Sequence, residues 1–289
     1  MREKTVEIGL YGIGVIFLII ILYPLYFIVI ASVSEPSAVL AGEVWFYPRC
    51  ITLDGYRELL KNEKIWTGYR NTVFYTIVGT TVSMLVTVPA AYALSRRDFK
   101  GRKPFMMFFL ITMFFNGGLI PTYMTVTKTL HMGGTFWVML LPFCVNVFNL
   151  IIMRTFFESS IPQELWEAAQ LDGCSSIYYL GRVVLPLSKA VLSVIMLYYV
   201  VAKWNEYFTA LIYIRNNRLI PLQIVLRDIL IQNESMASNM MGAEAIEAAK
   251  KANLIKYSSI IVGTLPMMIL YPFLQKYFEK GVMIGAVKG

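Results

Sequence analysis

Six stretches of the chain are almost free of charge and rich in Leu, Ile, Val, Phe and Met: Gly9 to Ala31, Asn71 to Leu94, Phe105 to Val126, Thr135 to Met153, Leu187 to Tyr213 and Tyr257 to Phe273. An apolar run of about 20 residues is long enough to cross the ~30 Å hydrocarbon core as a helix, which satisfies its own backbone polar groups. The pattern therefore predicts an all-α polytopic membrane protein with six transmembrane helices. The first run is too long for a signal-peptide core and lacks a small-residue cleavage site behind it, so it reads as a retained anchor.

Composition agrees, with 57% hydrophobic and 15% charged residues. The net charge of +8 might suggest nucleic acid, but five of the ten residues from Ser95 to Pro104 are basic (Arg96, Arg97, Lys100, Arg102, Lys103) and lie between two spans. That is the positive-inside pattern of a cytoplasmic loop, and no nucleic-acid partner is expected. Counting spans from that loop puts both termini, the loop 154–186 and the tail 274–289 in the cytoplasm, with 32–70 and 214–256 outside. Total Lys and Arg are similar on the two sides, so the short loop carries the argument. No repeat or polar linker divides the chain, which reads as one membrane domain over 1–289.

Cys50, Cys144 and Cys174 fall in different compartments and suggest neither a disulfide framework nor a metal site. The chain has no G-x-x-x-x-G-K-[ST] phosphate loop, and no nucleophile–base set or metal cluster can be assembled on one side of the membrane. No catalytic residues, metal or bound cofactor are expected, and the chain is not read as an enzyme.

The segment from Ser160 to Pro186 is patterned as helix, turn, helix. Ser160 with Gln163 fits a capping box, Pro162 suits a first turn, and good helix formers from Gln163 to Asp172 precede Gly173, placed to end the helix in a left-handed conformation. Leu165, Ala168, Ala169 and Asp172 share a small, partly apolar face flanked by Glu164 and Glu167. An amphipathic connector lying on the membrane is the plainer reading of such a helix.

Glu167-Ala168-Ala169, then Gly173, then Val183 and Leu185-Pro186 match the spacing of the EAA loop of bacterial ABC importer permeases, with Val183 where that family most often has Ile. A second Glu247-Ala248-Ala249 is followed by Leu265-Pro266 but has Asn253 and Gly263 at the glycine and isoleucine positions. The missing glycine and the basic loop select the copy at Glu167. The resemblance extends to WNEYFTALIYI (Trp204 to Ile214), FNGGLIPTYM (Phe115 to Met124) and IGAVKG (Ile284 to Gly289), and is strongest to the maltose-type carbohydrate importers, in the branch of the smaller permease. Together with YPFLQKYFEKGVMIGAVKG, NGGLIP resembles the subgroup assigned to complex or uronate-containing oligosaccharides.

The resemblance implies a permease in the bacterial plasma membrane, paired with a second homologous permease, two ATPase subunits that carry ATP and Mg, and an extracytoplasmic sugar-binding protein. It implies that Glu167, Ala168, Ala169, Asp172, Gly173, Leu185 and Pro186 couple the chain to the ATPase. It also implies that Gly285, Val287, Lys288 and Gly289 reach the ATPase dimer.

Asn116-Gly117-Gly118 with Pro121 should break the third span. Asn116, Tyr123, Asn146, Asn149, Trp204, Asn205 and Glu206 are candidates for lining a translocation path, because polar groups in spans face protein or water. Lys203 and Glu206 fit an intrahelical ion pair equally well. An ion-coupled secondary sugar transporter is the alternative, and predicts inverted repeats and several buried ionisable groups.

Overall fold

The computed structural model describes residues 2–286, with side-chain surroundings for all of these except 2–6, 8 and 273–286. In chain order the helices are α1 (Arg2–Ser32), α2 (Pro36–Leu40), α3 (Asp54–Lys61), α4 (Glu63–Ser95), α5 (Arg102–Phe114), α6 (Leu119–Met124), α7 (Val147–Ser160), α8 (Gln163–Leu171), α9 (Ser176–Tyr179), α10 (Leu185–Leu187), α11 (Lys189–Trp204), α12 (Phe208–Tyr213), α13 (Leu222–Asn239) and α14 (Ala243–Ala286). Wide π-type turns extend α6 through Thr125–Thr129 and join α9 to α10 through Leu180–Val184. No strand occurs among the described residues.

Among the described residues, three stretches are single helices long and apolar enough to span a membrane: Gly9–Ser32, Glu63–Ser95 and Ala243–Pro272. Two more are bent pairs, Arg102–Phe114 with Leu119–Thr129 at 115°, and Ser176–Leu187 with Lys189–Trp204 at 87°. The first bend falls at residues 115–118, where Asn116-Gly117-Gly118 predicts it. The expected fifth span, Leu187 to Tyr213, is interrupted as well, since α11 stops at Trp204 and α12 starts at Phe208.

The expected fourth span, Thr135 to Met153, is not a continuous helix. A short 3-10 turn, Phe136–Met139, gives way to irregular backbone around Pro142, and α7 begins only after Asn146, whose side-chain oxygen accepts the Asn149 N–H at 3.1 Å. Irregular backbone in so apolar a stretch needs protein partners. Here the Lys203 ammonium donates to the Met139 carbonyl at 3.0 Å, Gly134 N–H donates to the Tyr213 carbonyl at 2.9 Å, and Val138, Met139 and Leu140 are buried.

The chain packs as two compact units. The larger, Thr67–Ile224 with the helical residues after Pro266, is organised around α4. Thr72, Thr76, Thr80, Ser83 and Thr87 recur at steps of three or four along one face of α4, and all are buried, as is Asn71 beside Thr72. At its start this face holds the 218–222 loop: the Asn71 amide donates to the Arg218 and Ile220 carbonyls at 2.8 and 2.9 Å, and Leu222 N–H donates to the Thr72 hydroxyl at 2.8 Å. Small hydroxyl residues allow such close helix packing in a membrane protein. Farther along, Val88, Ala91 and Tyr92 join Met153, Phe157, Val191 and Ile195 in an apolar core.

The smaller unit comprises the chain up to Trp66 and Val225–Pro266. Leu10, Phe17 and Leu22 of α1 are exposed in the chain, as suits a lipid-facing or subunit-facing helix. At the other end of α1, Ile30 packs with Ala38 and Val44. Helix α3 lies against α14 so closely that a Cβ on Gly55 would come within 2.3 Å of Ser258 Oγ and 2.9 Å of the Leu254 carbonyl oxygen. Lys251 pairs with Glu58 across the same contact at 2.8 Å.

Candidate functional site

Helix α8 is nine residues long, and its boundaries follow from local chemistry. The expected capping box is absent, because α7 continues through Ser160 and Pro162 takes the N-cap position without a side-chain bond. The Gln163 amide instead donates to Glu167 Oε1, one turn on, at 3.1 Å. The C-terminal end is as predicted. Gly173 has φ +72, Gly173 N–H donates to the Gln170 carbonyl at 3.0 Å and Cys174 N–H to the Ala169 carbonyl at 2.9 Å. This is the Schellman arrangement that a glycine after the C-cap permits, and Asp172 is that C-cap.

The helix has two unlike faces. Trp166 is buried and Ala169 is half-buried against the same core as Cys174, Leu180 and Leu185, while Glu167, Ala168, Asp172 and Pro186 are exposed. Leu171 and Ile177 stand 91% and 84% exposed on either side of the turn. Two large apolar side chains thus stand open beside the small-residue face of the helix.

What holds α8 in place was not legible from its own segment. The Tyr179 ring meets Trp166 edge-on at 5.0 Å, and the Arg96 guanidinium lies 4.0 Å from the Trp166 ring centroid, a cation–π contact of roughly 0.5–2 kcal/mol. Arg96 also forks onto Asp98, Nε to Oδ1 and Nη2 to Oδ2, both at 3.2 Å. The Arg96 hydrogen bonds hold the Asp98 carboxyl below the usual aspartate range, with help from the Trp166 indole N–H. Nearby, Glu158 binds both Arg102 and Arg154, and Arg154 Nε donates to the Leu94 carbonyl at 3.3 Å. Between these groups and α8 lies a polar cavity of about 620 Å³, lined among others by Arg97, Glu158, Glu164 and Glu167.

The second Glu-Ala-Ala copy differs in kind. Glu247, Ala248 and Ala249 sit inside α14, which runs unbroken through Asn253, so no turn follows them. Only the Glu167 copy forms a helix that ends at a left-handed glycine.

Residues 65–284 match the sequence model of the family described as binding-protein-dependent transport system inner membrane component. The chain belongs to this family. It is 37% identical to the polygalacturonan/rhamnogalacturonan transport system permease protein YtcP of Bacillus subtilis, covering 100% of both chains. It is 38% identical to protein LplC of the same organism, over 96% of this chain and 92% of the relative. A solved bacterial ABC transporter involved in the import of the acidic polysaccharide alginate has a chain that superposes with a TM-score of 0.85 at 33% identity, over 96% of this chain and 98% of that one. The protein is thus a transport subunit of an inner membrane with the ABC importer permease fold, not an enzyme, and the ion-coupled alternative is set aside.

In this permease the path candidates have several different partners. Asn146 and Asn149 meet at the start of α7, where Asn146 N–H donates to the Tyr199 hydroxyl at 3.1 Å. Tyr123 stacks on Tyr213, ring centroids 5.5 Å apart. Trp204 is buried beside Tyr69, Asn205 donates to the Val201 carbonyl, and Glu206 accepts Thr209 N–H in the first turn of α12 at 3.0 Å. Asn116 is exposed at the bend, accepting Gly118 N–H. Of the tail residues, Gly285 is in the backbone of α14, and Val287, Lys288 and Gly289 lie outside the described residues.

Proposed function

We propose that this chain is one of two permeases in an ATP-driven importer of acidic oligosaccharides, coupled to its ATPase subunits by α8 and the turn at Gly173. The observation that carries the coupling role is the exposed Glu167 and Ala168 on a helix ending at a φ +72 glycine, flanked by the uncovered Leu171 and Ile177. Ala168 admits close approach, Glu167 offers a charge to a basic partner, and Leu185-Pro186 leads the push toward the 87° bend into α11. ATP and Mg belong to the ATPase partners in this reading.

The substrate class rests on the likeness to a polygalacturonan/rhamnogalacturonan permease and to an importer of the acidic polysaccharide alginate. Six crossings remain the reading of the topology, the fourth made by the irregular 136–146 segment continued by α7, with both termini and α8 in the cytoplasm beside the basic 95–104 loop. An extracytoplasmic binding protein delivers the sugar from the other side.

The test is to purify the tagged chain from its membrane and identify its companions. Recovery of a second permease and an ATPase, with hydrolysis stimulated by a binding protein loaded with oligogalacturonate, is expected. A chain recovered without an ATPase would overturn the reading.

A further inference from the structure

We propose that Arg96 is a positioning residue for coupling, pinning α8 to the end of α4 so that the two move as one piece; this rests on the reading of α8 as the contact to an ATPase. A nine-residue helix has little stability of its own, so what grips it decides where an applied push goes. Trp166 is the one buried residue of α8, and its surroundings come from two directions. Tyr179 belongs to the same helix-turn-helix, whereas Arg96 and Asp98 directly follow α4, which ends at Ser95.

The planar guanidinium of Arg96 lies over the indole and forks onto Asp98 at the same time, whereas a lysine ammonium has no fork with which to hold both carboxylate oxygens. The side chain is well enclosed, at 17% exposure, so the contact is shielded from competition by water. From the end of α4 the connection continues. Arg154 on α7 grips the Leu94 carbonyl, and Glu158 joins Arg154 to Arg102 at the start of α5. Displacement of α8 is thereby delivered through Trp166 to the ends of three helices, as well as along the chain through Leu185-Pro186.

The measurement uses the whole complex in nanodiscs, with Cys50, Cys144 and Cys174 replaced by serine and spin labels at Arg97→Cys and Gln170→Cys. Distance distributions are recorded without nucleotide and after trapping with Mg-ATP and vanadate. The labelled parent should give the same narrow distribution in both states, R96A a broad one that shifts on trapping, and R96K an intermediate width. Distributions that differ between states in the parent, or an R96A distribution as narrow and as fixed as the parent's, overturn the proposal. The parent comparison stands even if R96A does not assemble. A complex that assembles and hydrolyses ATP with unequal parent distributions removes the role of Arg96 alone, whereas a chain recovered without an ATPase removes the role of α8 and with it that of Arg96.

Discussion

The hydroxyl of Tyr199 on α11 sits 2.7 Å from the Thr87 hydroxyl on α4 and also accepts the Asn146 N–H at 3.1 Å, so one oxygen ties α4, α11 and the start of α7. Removing it leaves a backbone N–H and a buried hydroxyl without that partner. Tyr199→Phe is expected to cost about 1–3 kcal/mol, read as a lowered unfolding temperature of the purified chain in nanodiscs. Thr87→Val, which keeps the shape and leaves Asn146 served, should cost less; equal losses would contradict this account.

Gly173 predicts a second outcome. A side chain at φ +72 is disfavoured by about 1–2 kcal/mol, although the space around the position is open. Gly173→Val should unwind the end of α8 and reduce ATP hydrolysis stimulated by the loaded binding protein. Gly173→Asn, which enters the left-handed region more readily, should retain most of it. Equal activity of both variants with the parent would refute the role of the turn.

Gly55 offers a packing test. Gly55→Ala forces its Cβ against Ser258 Oγ and Leu254, an overpacking that costs typically about 1–3 kcal/mol. Adding Ser258→Ala should recover only part of the lost unfolding temperature, since the Leu254 carbonyl oxygen at 2.9 Å cannot be trimmed.

Asp98 sets a pH dependence. Its carboxyl is held below the ordinary value of 3.8, first by the Arg96 hydrogen bonds, so the folded state binds the proton less readily than the unfolded chain. The resulting stability is fully present above the unfolded value and is lost as pH falls through the lower folded one. Unfolding temperatures of the parent and D98N should therefore converge on acidification below about pH 4. A gap that stays constant from pH 6 downward would show that Asp98 does not act through its charge.

The sequence was informative where one residue decides local geometry. Gly173 after a run of helix formers gave the end of α8, and Asn116-Gly117-Gly118 gave the bend after α5, because both are local backbone choices. It was silent where hydropathy stood in for structure. Thr135 to Met153 is apolar enough to pass as one helix, yet apolarity does not say whether backbone groups bond along a helix or to a distant side chain. The Ser160 and Gln163 capping box failed because α7 had already absorbed Ser160. The grip on Trp166 is spread over segments far apart in the chain; its one local sign is that Trp166 is the single aromatic residue in α8.

The bond from Lys203 to the Met139 carbonyl also bears on how the protein is made. The two residues are 64 positions apart, so the irregular segment around Pro142 leaves the ribosome well before the group that completes it. Until Lys203 follows, the Met139 carbonyl has no ammonium partner. A chain truncated before Lys203 therefore lacks the donor on which the irregular backbone at Met139 relies.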